Sequence, residues 1–222
     1  MKSYPLHSTP EETGLIEQAK IAMDENVSSE PLAALGDLDT LKLDEIMLSK
    51  VEDAARLVEE GAAHHLLDGG KAIPTGGAMV TGADGKGYVN LPADFMRLVS
   101  FKLAGWKTAV TEAITEEHPA YLMQGSRWAG IHGNSERPVV AIVHRDGGYR
   151  LEFWSADGIA VIERALYIPL PVITDGRIAL CPRLRSAVVY RIASMSAAIL
   201  GMSDQAAMLL GTSNELAGIT GS

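Results

Sequence analysis

Residues 95–104 alternate between two sets of side chains, and this alternation constrains the fold more than any other feature of the chain. One side of the predicted strand carries Phe95, Arg97, Val99, Phe101 and Leu103. A period of two, with aromatic and β-branched residues, is typical of a strand that is buried on at least one face. The sequence therefore predicts β-structure in the middle of the chain.

Similar patterns predict further strands on both sides of this one. They lie near residues 87–91, 107–114, 139–145, 148–155 and 159–168. Asp146 and Gly147 separate two of these runs, and Asp-Gly between apolar runs is a strong hairpin signal. Residues 116–124 are expected to form a short helical turn between strands. We therefore expect the central region to be mostly antiparallel.

Helical spacing of apolar residues precedes the β-region. Thr9, Pro10 and Glu12 have the pattern of a helix start with a capping box, and this helix is expected to end near Asn26. A second helix is predicted over residues 42–60, with an extension to residue 67 left open. Asp68, Gly69 and Gly70 then provide a stop signal.

Helical spacing returns after Pro171. Pro182 is expected at the first position of a third helix, which Gly201 ends, and Ser203 can cap a fourth helix. On the third helix, small residues permit close helix approach: Ser194, Ser196, Ala197 and Ala198. Gly211, Gly218 and Gly221 are expected to interrupt the fourth helix, and residues 206–210 give it an apolar segment that is wider than one core-facing stripe.

This order of elements predicts an α+β protein. Residues 1–70 and 173–222 are expected to contribute the helices of a four-helix bundle. Residues 71–172 are expected to form an inserted, mostly antiparallel β-module, because the hydrophobic period changes from 3.6 to 2 near Gly69 and changes back near Pro182.

Composition limits the possible functions. The 222 residues carry a formal net charge of −9, so the chain is a poor candidate for binding nucleic acid through phosphate neutralisation. A single cysteine excludes an internal disulfide and favours an intracellular setting. The first residues lack an apolar core, and no apolar run reaches ~18 residues, so neither a signal peptide nor a membrane span is expected.

Candidate catalytic, metal-binding and ligand-binding groups each have a structural interpretation. Cys181 lies at a predicted helix start, where a thiol pKa can fall, but no histidine lies near it in the sequence. Adjacent His64 and His65 point in different directions on a helix and do not suit one zinc ion. His118 and the later His132 and His144 lie in or beside the β-region and form a metal site only if the fold brings them together.

A glycine-rich stretch and three tryptophans complete these candidates. Residues 82–87 fail the phosphate-loop pattern, because no Ser or Thr follows Lys86 and no helix follows the loop. Trp106, Trp128 and Trp154 are typical of a β-core or a protein interface. We therefore assign no catalytic residue, no cofactor-binding residue and no metal ligand. Trp106 is expected to be buried against strand 95–104 or the hairpin.

Three stretches together resemble the head-to-tail connector, or adaptor ring, proteins of tailed bacteriophages, especially ring proteins of crAss-like and other short-tailed phages. The first is residues 38–46 running into 51–57. The second comprises Leu91-Pro-Ala-Asp-Phe-Met-Arg-Leu98, Gly105-Trp106, Arg137-Pro-Val139 and Tyr167-Ile-Pro169. The third is Leu180-Cys-Pro-Arg-Leu184 followed by an Ala/Ser-rich helix and a short last helix. The resemblance spans residues 12–217.

The resemblance implies a structural role in the virion, at the head–tail junction, after assembly in the host cytoplasm. Connector rings contain identical subunits, commonly twelve. They bind the portal protein on one side and the next tail ring or tail tube on the other. Genomic DNA passes through their channel without specific binding. The family has no catalytic residues or cofactor, and by resemblance we place the portal contact at residues 203–222.

Two other classes of function stay open from the residues alone. One is a soluble module that binds a peptide or a carbohydrate through the aromatic residues of the β-region. The other is a hydrolase with a Cys/His site that is assembled only in the folded chain.

Overall fold

The computed structural model describes residues 1–25, 39–67, 69–74, 79–80, 85–126, 128, 131–145, 147–156 and 161–219. These residues form a mixed α+β protein, which confirms the predicted class. Its sheets are antiparallel except for one parallel strand pair. The chain divides into two compact units. The helical unit comprises Met1–Asp68 and Pro171–Ser222, and the β unit comprises Gly69–Leu170. The predicted boundaries, after residues 70 and 172, lie slightly further along the chain.

The helices and strands are numbered in chain order. The helices are α1 (Leu15–Glu25), α2 (Asp39–Gly61), α3 (Pro119–Met123), α4 (Arg185–Ile199) and α5 (Ser203–Ala217). The strands are β1 (Lys2–Pro5), β2 (Lys71–Ala72), β3 (Met79–Val80), β4 (Gly87–Asn90), β5 (Phe95–Leu103), β6 (Ile114–Thr115), β7 (Val140–Arg145), β8 (Gly148–Phe153), β9 (Ile162–Pro169), β10 (Ile173–Thr174) and β11 (Arg177–Leu180).

Helix α4 lies at the centre of the helical unit and packs against α1, α2 and α5. Two buried serines join α4 to α5. The hydroxyl of Ser194 donates to the carbonyl oxygen of Ala206 at 2.8 Å. The hydroxyl of Ser213 donates to the carbonyl oxygen of Ala187, also at 2.8 Å. Such short side chains let the helices approach closely while each buried hydroxyl keeps a hydrogen bond.

The small residues of α4 therefore serve packing inside the subunit. Ser194, Ser196 and Ala197 are buried, whereas Ala198 and Ile199 are exposed. The close helix approach predicted from these small residues is therefore present between α4 and α5, where Ser194 contacts Ala206. The unit also contains a three-stranded sheet, β1-β11-β10, so it does not consist of helices alone. Asp175 and Gly176 turn between β10 and β11, both with positive φ, as a tight hairpin turn requires.

The first helix begins at Leu15 and not at Thr9. Thr9 and Glu12 instead close a turn through backbone hydrogen bonds of 2.8 and 3.3 Å. The carboxylate of Glu12 lies 3.7–3.8 Å from three cationic groups, those of Lys2, Arg177 and Arg185. Half of the predicted capping box is formed, because the backbone N–H of Glu12 donates to Oγ1 of Thr9 at 3.2 Å. No helix starts there, and the Glu12 carboxylate instead joins the N-terminal strand to β11 and to the start of α4.

The β unit contains two sheets, with strand orders β2-β9-β5 and β3-β4-β8-β7-β6. Its core is formed by large apolar side chains from both sheets, including Phe101, Leu151, Phe153 and Tyr167. Gly147, with a φ of 77°, lies in the β7–β8 turn at the predicted hairpin position. The predicted strand over residues 107–114 is wrong, because only a bridge at Val110 and the short β6 form there.

Asp94 joins the beginning of the β unit to its end. Its carboxylate accepts hydrogen bonds from the hydroxyl of Tyr167 at 2.7 Å and from Nζ of Lys71 at 2.9 Å. Its carbonyl oxygen accepts the N–H of Leu170 at 2.7 Å. Burial and the neighbouring carboxylate raise the pKa of Tyr167 to about 12. Burial opposes ionisation of Asp94, but these hydrogen bonds outweigh it and lower the Asp94 pKa.

Two further contacts of Tyr167 support the connection that Asp94 makes between the beginning and the end of the β unit. The ring of Phe95 stacks on the ring of Tyr167 with centroids 5.7 Å apart. Gly70 has a φ of +86°, and a Cβ atom there would lie 2.6 Å from the carbonyl oxygen of Tyr167. Only glycine suits this position, because the backbone of Gly70 approaches the strand too closely for a side chain.

Trp106 is buried in the β unit, as the sequence predicts, with 3% of its surface exposed. Its ring contacts Phe101 of β5 edge-on at a centroid distance of 5.7 Å, and its Nε1–H donates to the carbonyl oxygen of Ser155 at 3.3 Å. The side chain therefore fills the core and also satisfies its one polar group.

Trp106→Ala should lower the free energy of unfolding by ~3–5 kcal/mol, because it removes a large buried side chain and leaves a cavity. Chemical denaturation measures this change. Trp128→Ala is the matched control, because Trp128 is 64% exposed, and it should change stability by less than ~0.5 kcal/mol. Equal stability of Trp106→Ala and the wild type would contradict this packing.

Candidate interaction surfaces

Cys181, the candidate nucleophile, is fully buried in the helical unit. Its backbone N–H donates to Oε1 of Glu59 at 2.7 Å. A nucleophilic thiol must reach its substrate, and this one has no exposed surface. The contact with Glu59 gives the residue a structural role, because it connects α2 to the segment that leads into α4.

Glu59 is a fully buried carboxyl group on α2. Burial raises its pKa above the ordinary value of 4.5, although the hydrogen bonds from Cys181 act in the opposite direction. Removal from water disfavours the charged form of a carboxyl group, and one or two hydrogen bonds offset that only in part. Sequence reasoning missed this group, because Glu59 lies in an ordinary run of helical charges.

The histidines make local contacts. His64 and His65 lie in a short 3-10 turn after α2. His118 accepts the N–H of Ala120 at 3.1 Å and so caps α3. Nδ1 of His132 lies 2.7 Å from the carbonyl oxygen of Gly133, and the ring of His144 packs edge-on against Tyr149. Within the described ranges, no three His, Cys, Asp or Glu side chains are grouped as metal ligands.

The glycine-rich stretch connects β3 to β4, which pair antiparallel. Residues 82–84 of this candidate phosphate loop lie outside the described residues. Gly85 has a φ of +73°, and a Cβ atom there would lie 2.6 Å from the carbonyl oxygen of Ala156. Nζ of Lys86 lies 3.3 Å from the carboxylate of Glu152. These contacts indicate that Gly85 and Lys86 serve packing within the β unit.

The tryptophans do not form a shared aromatic surface. Trp106 and Trp154 are buried, and only Trp128 is exposed. A base-stacking or sugar-binding surface needs several exposed rings, so these residues give little support to a module that binds nucleic acid or carbohydrate.

One exposed surface lies on α5. The helix buries Ala206, Leu209, Ser213 and Ala217. The opposite side, which we call the outer face of α5, is exposed and consists of Asp204, Ala207, Met208, Gly211 and Glu215. The helix continues through Gly211 and ends at Ala217, with Gly218 as its C-cap at a φ of 64°. The predicted interruption at Gly211 is therefore wrong, and Gly221 lies outside the described residues. A Cβ atom on Gly211 would have no neighbour within 4 Å.

A second exposed surface lies in the β unit, in the described part of residues 119–133, which we call the apolar loop. Its described part includes α3 and presents four large apolar side chains to solvent: Leu122 (82% exposed), Met123 (50%), Trp128 (64%) and Ile131 (51%). Scattered exposed apolar residues are ordinary on protein surfaces, but a concentration of them in one segment is typical of an interaction site.

Hydrogen bonds connect described residues at the two ends of the apolar loop. Gln124 is buried, and its amide donates to the carbonyl oxygen of Ala120 at 2.8 Å and accepts the N–H of Gly133 at 2.8 Å. The hydroxyl of Ser155 donates to the carbonyl oxygen of Gly133 at 2.6 Å. Gln124 therefore ties the beginning of the loop to its end, and Ser155 ties that end to the residues that follow β8.

Tyr121 anchors the same loop to the five-stranded sheet. Its hydroxyl donates to Glu152 at 3.0 Å, and its ring packs edge-on against Trp154 at a centroid distance of 5.9 Å. Burial and the nearby Glu152 carboxylate raise the pKa of Tyr121. Tyr121 points toward the sheet while Leu122 and Met123 are exposed, so the loop presents apolar side chains from a fixed base.

Neither a protein-family model nor a curated protein matches this sequence. Among the residues whose structure is described, no helix is sufficiently long and apolar to cross a lipid bilayer.

Glu59→Gln should change how stability depends on pH. The folded state holds the Glu59 proton more tightly than the unfolded state does, because burial raises the folded pKa. Stability from this group is therefore present below the unfolded pKa of 4.5 and is lost as pH rises through the folded pKa. Glutamine at position 59 keeps a side-chain oxygen that accepts the backbone N–H of Cys181. It cannot ionise, so the loss of stability at higher pH should disappear.

Denaturation at about pH 4 and about pH 8 measures the effect, and the gain in stability from Glu59→Gln should be larger at the higher pH. Glu45→Gln, at an exposed position on the same helix, is the control and should show no such trend. A Glu59→Gln effect that does not grow with pH would contradict the assignment.

Proposed function

We propose that this protein is a subunit of the head-to-tail connector ring of a tailed bacteriophage. The observation that carries the proposal is the course of the chain. Helices from both ends of the sequence share one unit, and the β unit is inserted between them. The resemblance in the sequence implies the same organisation.

The residues that carry the resemblance also support the proposal, because they meet in the fold. Asp94 and Phe95 belong to the first segment of the second stretch, and both contact Tyr167 in the last segment of that stretch. Trp106 of the same set packs on β5. These contacts explain the motif as a structural one, and a structural motif is what a connector protein needs.

A ring subunit must bind identical neighbours in heterologous contacts that close by rotation, and it must also bind different proteins at its two ends. Twelve subunits are common in such rings. The outer face of α5 and the apolar loop offer two separate surfaces for these contacts.

The outer face of α5 is our candidate for the portal contact. Ala207 and Gly211 are small, so the helix of a partner can approach the backbone closely. Met208 is 59% exposed and has a flexible, polarisable side chain that adapts to partner surfaces. This face lies within residues 203–222, the segment expected from the resemblance, although residues 220–222 lie outside the described part.

The charge of the chain suits a channel for DNA. The formal net charge is −9, and like charges repel at short range, so an acidic channel wall does not retain passing DNA. On this proposal the ring belongs to the virion at the head–tail junction, with a tail ring or tail tube protein on its far side.

Gly211→Arg tests the portal contact, with Gly211→Ala as the matched control. Both residues favour a helix over glycine by up to ~1 kcal/mol, and the space at Gly211 is open, so both variants should fold. We expect Gly211→Arg to weaken binding to the portal protein of the same phage at least about tenfold, ~1.4 kcal/mol, because the long side chain blocks close approach. Gly211→Ala should bind like the wild type.

Calorimetry or surface plasmon resonance with purified portal protein gives the affinities. Normal binding by Gly211→Arg would show that the portal binds elsewhere on the chain. A wild-type chain that binds neither the portal nor other copies of itself would contradict the connector proposal.

A further inference from the structure

We infer that the outer face of α5 binds a basic helix of a different protein, a helix with lysine or arginine at each end of the contact. The inference rests on the proposed function, in which this face contacts the portal protein, and it adds the chemistry of the element that binds there. The spacing of the exposed residues and the placement of two carboxylates carry the inference.

The exposed residues of α5 have the spacing of a helix-packing seam. Asp204, Met208, Gly211 and Glu215 follow one another at intervals of four, three and four residues. This spacing keeps them in one line along the helix, and two helices interdigitate their side chains along such lines. Met208 is the large side chain of the line, and the open space at Gly211 can receive a side chain of the partner. The face therefore fits a second helix.

Two carboxylates mark the ends of this line. Asp204 and Glu215 are exposed, and neither forms an ion pair with another residue in the described part of the chain. They are eleven residues apart in the sequence, which corresponds to about 16 Å along a helix axis. The sequence after Arg191 contains no Lys, Arg or His, so α5 has no cation of its own. A partner helix with a cation at each end complements both carboxylates.

Glu215 lies where a helix by itself does not favour a carboxylate. Helix α5 ends at Ala217, so Glu215 is in its last turn, and that turn contains no basic residue. Cations stabilise this end of a helix and anions destabilise it, because the last carbonyl groups form the negative end of the helix dipole. A lysine or arginine of a partner therefore compensates an unfavourable charge in addition to forming an ion pair with Glu215.

The same carboxylates argue against a second copy of this face as the occupant. In a parallel pair of α5 helices each carboxylate lies opposite its own copy, and in an antiparallel pair Asp204 lies opposite Glu215. Both arrangements bring like charges together, which opposes binding. The longest helix of the chain, α2, is also a poor occupant, because it exposes Glu45, Glu52 and Glu60. The charges therefore favour a helix of another protein.

Removal of the two charges tests the inference. Asp204→Asn and Glu215→Gln, combined in one chain, keep the size of both exposed side chains, so the variant should fold. We expect it to bind purified portal protein of the same phage about tenfold more weakly than the wild type at low salt, because the cations of the partner lose their ion pairs. The affinity of the wild type should fall as the salt concentration rises, and the variant should lose most of this dependence.

A second double variant is the matched control. Glu11→Gln and Glu45→Gln change the net charge by the same amount at two exposed positions of the helical unit that lie outside α5. This variant should keep the affinity and the salt dependence of the wild type. The control separates ion pairs at the outer face of α5 from a general effect of the net charge.

A synthetic helix provides a measurement that does not depend on the portal. The probe is an alanine-rich, stapled peptide of about 20 residues with lysine at two positions eleven residues apart, and a second peptide has glutamate at both positions. NMR spectra of the full-length chain record the binding. We expect the lysine peptide to shift the amide signals of α5, and the glutamate peptide to leave them unchanged. The Asp204→Asn and Glu215→Gln variant should show smaller shifts.

Separate outcomes overturn the inference and the proposed function. A combined variant that binds portal with the affinity and salt dependence of the wild type overturns the basic helix and leaves the connector proposal standing. A lysine peptide that shifts no α5 signal, or outer faces of α5 that bind each other, has the same consequence. A chain that binds the lysine peptide but neither portal nor its own copies contradicts the connector proposal and leaves the chemistry of this face standing.

Discussion

The hydrogen bonds of Asp94 hold the β unit together at the point where the chain enters and leaves it. Lys71 follows the start of the unit, Leu170 ends it, and Asp94 bonds to both and to Tyr167. An inserted unit needs its two connections fixed side by side, because otherwise each connection adds conformational freedom that folding must remove. The charged hydrogen bonds do this where the hydrophobic core of the unit ends, and Gly70 permits the close approach that the arrangement needs.

The sequence predicts the elements whose signals are local. The alternation in β5 and the Asp-Gly hairpin after β7 are examples, since neighbouring residues determine both. The sheet that contains β1 was not predicted, because Lys2 pairs with Leu180 and no local pattern announces such a distant partner. The predicted start of α1 failed for the same reason. Glu12 has the spacing of a capping residue and its N–H bonds to Thr9, but its carboxylate pairs with cations that are distant in the sequence.

The candidate surfaces were harder to predict than the fold. A side chain such as Leu122 has the same chemistry in a core and on a surface, so its exposure is known only once Tyr121 is placed against the sheet. In the folded chain Ser194 of α4 contacts α5. Cys181 is buried and bonds to Glu59, which gives it a structural role.

The mass of the particles formed by the wild-type chain tests the connector assignment most directly. Mass photometry or electron microscopy of the chain, alone at increasing concentration and together with portal protein of the same phage, counts the subunits in each particle. The account predicts a closed ring with one fixed subunit number that joins the portal. Particles that remain single subunits under all these conditions, or that grow into open chains of variable length, would contradict it.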